Sequence, residues 1–132
     1  MTSILSLIVS LLLFIQTPVL EIENEGSIET VISAIDNGSS SDLAKYFDSS
    51  ISLNVNGQQG EYSKNQAELV LKDFFKKNPS RGFTLVFRSE NNPSLSSYIG
   101  DYQTGQGIYK VFIKVSQQAS EFKIYSLEFV KG

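Results

Sequence analysis

Among the side chains able to move a proton, Asp73, Asp101 and Tyr109 stand out by their neighbours in the sequence. Asp73 sits in "LKDFFKKNP" (Leu71 to Pro79), against Phe74 and Phe75 and just ahead of Lys76 and Lys77. A carboxyl group in a pocket of rings has a raised pKa and can donate or abstract a proton. The helical wheel argues against that role for Asp73. Each helical residue turns by about 100°, which puts Asp73 roughly 130° from the apolar centre formed by Ala67, Val70, Leu71 and Phe74. Lys76 and Lys77 follow at salt-bridge spacing. Asp73 is therefore expected in water and Phe74 in the core. Phe75, at the edge of the buried face, is a candidate cavity wall.

The composition removes most other chemistries. The 132 residues include no histidine and no cysteine. Histidine is the commonest general base and transition-metal ligand, and cysteine supplies thiolates and disulfides. Triads and histidine-based zinc sites are thus excluded, and no cofactor or metal is expected. The acidic side chains Glu21, Glu23, Glu25 and Glu29 lack the defined convergence that a fixed cation needs. The net charge is −3, without a basic block, so nucleic acid is not an expected partner. "GQQGEY" lacks the Gly-Lys-Ser/Thr ending of a phosphate loop.

The elements that must position these residues begin after an apolar leader. Residues 1–20 carry no charge, and the run Ile4 to Ile15 has the length of a signal-peptide core. It is shorter than the roughly 20 residues of a spanning helix. It reads as an export signal, with cleavage between Ile15 and Glu23 and a periplasmic or extracellular destination. An uncleaved anchor, the sole route to membrane attachment, and a helix packed in the fold are the rival readings. Residues 21–26 read as an acidic linker and 27–132 as a single domain.

Within that domain, Ile28, Val31, Ile32 and Ile35 follow helical spacing, with Gly38 as a stop. Ser39 to Ser41 offer an N-cap to a short second helix bearing Leu43, Ala44, Tyr46 and Phe47. "ISLNVN" alternates like a half-buried strand, and Asn56-Gly57 signals a turn into a second strand at "QGEY". Ser63 and Gln66 fit a capping box for a third helix, which Asn78-Pro79 ends. Four strands follow at Phe83 to Ser89, Leu95 to Tyr102, Ile108 to Ser116 and Phe122 to Val130, joined by short turn-rich links as an antiparallel meander.

Register then decides which residues face the interior. A three-residue loop at Gln118 to Ser120 sets Tyr109, Val111 and Ile113 opposite Phe129, Leu127 and Tyr125 inside, with Lys110 opposite Glu128 outside. A symmetric five-residue loop at "QTGQG" sets Ile99 beside Val111 and Asp101 beside Tyr109, all inward. Tyr98, Tyr102, Ile108, Phe112, Phe122 and Ile124 then form an apolar outer face that suggests a dimer interface. A slip of one residue reverses this: Tyr98 and Tyr102 turn inward and Asp101 is solvated.

Two helices, a hairpin, a helix and four antiparallel strands, with "ISAIDNGSSSDLAKYF", "LKDFF" and "YIGDYQTGQGIYKVFI", resemble the nuclear-transport-factor-two-like superfamily over about Glu25 to Val130. Within it the chain looks like small exported bacterial domains of unknown function. The resemblance implies an α+β fold in which helices pack on a strongly curved antiparallel sheet, cone-shaped with a pocket at the open end. It also implies frequent dimerisation through the outer sheet face. It implies no single activity, because the fold hosts enzymes, ligand binders and adaptors.

The expected function is a non-enzymatic exported module that takes a small apolar ligand or a protein partner, as a homodimer. Phe47, Phe75, Ile99, Asp101, Tyr109 and Val111 are its candidate ligand-binding residues, and Tyr98, Tyr102, Phe112 and Ile124 its candidate interface. The alternative is a small cofactor-free isomerase or dehydratase, with Asp101 as acid/base and Tyr109 as hydrogen-bond donor.

Overall fold

The computed structural model describes residues 27–92 and 94–132. The expected export signal and acidic linker lie outside the described residues. The element order is α1 (Ile28–Asp36), α2 (Ser40–Ala44), β1 (Phe47–Val55), β2 (Gln58–Ser63), α3 (Lys64–Lys77), β3 (Gly82–Asn92), β4 (Leu95–Thr104), β5 (Gly107–Gln118) and β6 (Glu121–Lys131). Three helices pack on a curved, open, six-stranded sheet of order β2-β1-β6-β5-β4-β3, an α+β fold. Every strand pair is antiparallel except β1 with β6. Among the described residues no helix is long and apolar enough to cross a membrane.

Local chemistry sets the helix limits. The Ser39 hydroxyl accepts from the Asp42 amide at 3.2 Å, and Gly38, at φ +64°, makes the left-handed turn that ends α1. Ser63 and Gln66 form the reciprocal capping box of α3, each side chain accepting from the other's amide at 3.2 Å. Phe47 departs from its expected place on the second helix. That helix ends at Ala44, and Phe47 opens β1, buried opposite Ile124.

Both hairpins that fix the site are tighter than the sequence suggested. The β4–β5 turn has two residues, Gly105 and Gln106, between the paired Thr104 and Gly107. The Thr104 hydroxyl accepts from the Gln106 amide at 3.0 Å and donates to the Gly107 carbonyl at 2.9 Å. Ending the loop on Thr104 shifts the strands by one residue from the symmetric five-residue loop. Tyr102 therefore pairs with Tyr109, Asp101 with Lys110, Gly100 with Val111 and Ile99 with Phe112.

The β5–β6 turn is likewise two residues, Ala119 and Ser120, both at positive φ. A bulge at Tyr125 then adds a second shift, between Lys114 and Val115. The two slips cancel in parity. Val111 faces Phe129 and Ile113 faces Leu127, still inside, although each partner is two residues from the expected one. Before the bulge only one slip applies, so Ile124 pairs with Val115 and lies in the core rather than on the outer face. Phe122 turns to the same inner side and meets Tyr46 edge-on at 6.1 Å.

Gly100 lies on the inner face of β4. A Cβ there would stand 2.3 Å from the Phe83 ring and 2.9 Å from the Thr84 carbonyl, so the ring occupies the space a side chain would need.

Candidate functional site

The interior of the cone is occupied by aromatic rings. Phe74 lies with its centroid 4.9 Å from Phe129 and 5.0 Å from Tyr109, and Phe75 lies 5.6 Å from Tyr102. Tyr102 meets Phe129 edge-on at 5.9 Å. Burial by mutual edge and tilted contacts is the favoured arrangement for such rings. Phe75 is part of this packing and buried, as are Phe47, Tyr109 and Val111. These rings pack against one another where an apolar ligand was expected.

The two inward hydroxyls of this cluster end on one residue. Tyr102 donates to the Asn78 backbone carbonyl at 2.6 Å, and Tyr109 donates to Asn78 Oδ1 at 3.3 Å. Asn78 in turn donates through its backbone amide (2.8 Å) and through Nδ2 (3.1 Å) to the Phe74 carbonyl, closing α3. Pro79 drives this geometry. The residue before a proline is pushed out of the helical region, and Asn78 adopts φ −130°, ψ 72°. Burial pushes the Tyr102 hydroxyl up to about 12. Asn78 was legible only as a helix stop. A polar residue between a helix's last aromatic pair and a proline, in a chain with inward tyrosines, is the signal that identifies it as their partner.

Asp101 does not join Tyr109. It lies on the outer face, where Lys110 Nζ approaches its Oδ1 at 2.6 Å. Ile99 is also outside, between Phe87 on β3 and Phe112 on β5. The expected inward pairing of Ile99 and Asp101 is thus corrected by the one-residue shift at Thr104. The same shift corrects the outer placement of Tyr98 and Tyr102, which are 3% and 0% exposed. Tyr98 donates to Glu90 Oε2 at 2.5 Å, and burial followed by that bond pushes its hydroxyl up to about 12. Of Tyr98, Tyr102, Phe112 and Ile124, only Phe112 is on the outer face. Glu128, expected opposite Lys110, instead pairs with Phe112 and accepts from Asn54 Nδ2 at 3.3 Å. Asp73 is exposed, with Lys77 Nζ at 3.1 Å from its Oδ2, as the wheel requires.

The outer face carries an apolar row. Phe87, Ile99 and Phe112 lie side by side across β3, β4 and β5. Phe87 is 51% exposed, and Ile108 and Val130 add exposed apolar surface at the end of the same sheet. Asp101 and Lys110 form the neighbouring rung and pair with one another, and Glu128 opposite Phe112 and Lys114 further along β5 share the face. Among the described residues no group of acidic side chains is placed to hold a metal ion.

Comparison with known proteins agrees with this architecture. The chain is similar to a DUF4783 family protein from Bacteroides ovatus, at 26% identity and TM-score 0.73 over 78% of this chain and 93% of that one. It is also similar to a DUF4783 family protein from Bacteroides uniformis, at 21% identity and TM-score 0.76 over 81% and 98%. An NTF-2 like protein of unknown function from Silicibacter pomeroyi shares the fold at 14% identity and TM-score 0.58, over 77% and 87%. No curated protein matches the chain significantly. Residues 28–129 match the model of one family, and the chain, with its nuclear-transport-factor-two-like fold, belongs to that family, the domain of unknown function DUF4783.

Proposed function

We propose that this domain is an exported, non-enzymatic interaction module whose outer sheet face receives a second copy of the same chain. The apolar row Phe87, Ile99 and Phe112 carries the reading. Its members, Phe87 exposed and Ile99 and Phe112 half-buried, stand on a sheet face that no helix among the described residues covers, and contiguous accessible apolar surface of this kind marks interaction sites. A second copy fits because the face carries both signs, Asp101 and Glu128 against Lys110 and Lys114. A two-fold contact sets each patch against itself, so an unbalanced patch would repel its own copy. Asp101 and Lys110 instead satisfy one another at 2.6 Å. The interior supports the non-enzymatic part, since Asp101 and Tyr109 sit on opposite sides of the sheet. Export rests on the uncharged apolar run Ile4 to Ile15.

Sedimentation of the chain without residues 1–20 is expected to give about twice the monomer mass, as a two-fold dimer requires. Phe112→Glu is expected to return it to the monomer with its thermal unfolding little changed, because Phe112 lies outside the core. A wild-type chain that stays monomeric at high concentration overturns the dimer. Cell fractionation of the full chain tests export.

A further inference from the structure

We propose that the cleft between the end of α3 and the β1–β2 turn binds a small zwitterion of the α-amino-acid class. The cleft has a volume of about 210 Å³ and lies on the helix side of the sheet, away from the proposed dimer face. Drug-sized ligands fill roughly 300–1,000 Å³, so this space suits a ligand of few atoms. Val55, Val70 and Phe74 are its apolar lining, and Asp73, Lys77 and Asn78 are among its polar groups.

Two features point to a ligand with both charges close together. Asp73 and Lys77 stand on the rim, 3.1 Å apart and both more than half exposed. An exposed pair of this kind contributes little to stability, so opening it costs little. A molecule that brings an ammonium to Asp73 and a carboxylate to Lys77 replaces one weak contact with two.

Asn78 provides the fixed element. It is 8% exposed, and its carboxamide is held by Tyr109 and by the Phe74 carbonyl. A carboxamide has two N–H donors and two acceptor lone pairs. Those bonds use one of each, leaving one N–H and one lone pair for a guest.

A second groove serves as an internal control. Between α1 and α2, a depression of about 260 Å³ is lined by Thr30, Ser33 and Tyr46, and by Asp42 and Lys45, which are 3.2 Å apart. It carries the same pair of charges without a buried carboxamide. If the charge pair alone were enough, both grooves would bind.

Amide NMR of the protein titrated with glycine tests this. Saturable shifts are expected at Gln58, Asp73, Lys77 and Asn78, with a dissociation constant of about 1 mM or weaker. The amides of Thr30, Ser33 and Tyr46 should stay in place. Acetate and methylammonium, each carrying one of the two charges, should bind about tenfold more weakly, as should glycine to Asp73→Asn, the loss of one charge-assisted bond. Asp73 is exposed, so that variant retains the fold. Shifts that do not saturate, equal shifts in the two grooves, or an unchanged affinity in Asp73→Asn would each overturn the proposal. None of these outcomes depends on whether the outer face dimerises.

Discussion

Tyr102 and Asp101 are adjacent in the chain, as are Tyr109 and Lys110 on the strand beside them, yet the two rungs they form have opposite fates. The Tyr102–Tyr109 rung is buried, and both hydroxyls end on Asn78. The Asp101–Lys110 rung faces out and satisfies itself. One peptide unit separates an inner rung whose removal opens the core from an outer rung whose removal exposes two solvated groups. The difference teaches that, in this sheet, parity assigns a residue its role more strongly than its chemical type does. A carboxylate and a phenol that would make an acid-base pair in one register have no contact in the next.

The contrast is open to attack from its strongest side first. Tyr102→Ala removes a fully buried ring from the aromatic cluster and is expected to cost about 3–5 kcal/mol in denaturant unfolding. A loss below about 1 kcal/mol would mean that the inner rung is not packed as described.

Tyr102→Phe keeps the ring and strips the donor from the Asn78 carbonyl, for about 1–3 kcal/mol. This variant also has a pH signature. The folded-state pKa of Tyr102 is raised, so its neutral hydroxyl stabilises the native state fully below the ordinary pKa of 10.0, and the contribution is lost as pH rises toward about 12. Wild-type stability should therefore fall across that interval, and Tyr102→Phe should fall less steeply. Tyr98, raised chiefly by burial as well, contributes to the slope that remains.

The smallest effect belongs to the outer rung. Lys110→Ala should cost less than about 1 kcal/mol, since the pair is partly exposed and screened by salt. A cost equal to that of Tyr102→Phe would erase the distinction between the faces.

Much of the architecture was legible because it is written locally. The capping box at Ser63 and Gln66, the N-cap among Ser39 to Ser41 and the stop at Gly38 depend on residues within one turn of each other, and each is found where expected. The wheel placed Asp73 in water and Phe74 in the core for the same reason. The site was less legible because register is a sum of turn lengths and bulges along the chain. The Thr104 hydroxyl closes a two-residue turn that "QTGQG" does not announce, and the bulge at Tyr125 has no glycine to mark it. Two slips cancelled for Leu127 and Phe129. One was left uncancelled for Ile124, and the slip at Thr104 acted alone on Ile99, Asp101, Tyr98 and Tyr102. The matched charges of Asp101 and Lys110 were the available clue to the true β4–β5 pairing, since only that alignment puts them side by side.

The ring of Phe83 lying where a Cβ at Gly100 would be has a consequence for how the strands find their alignment. Gly100 is the one position in β4 without a side chain, so the ring and the gap work as a key and its slot. Sliding β4 by one residue would carry the Ile99 or Asp101 side chain against that ring and shut the slot. Which face of the sheet meets the outside world is thus encoded in the placing of a missing methyl group.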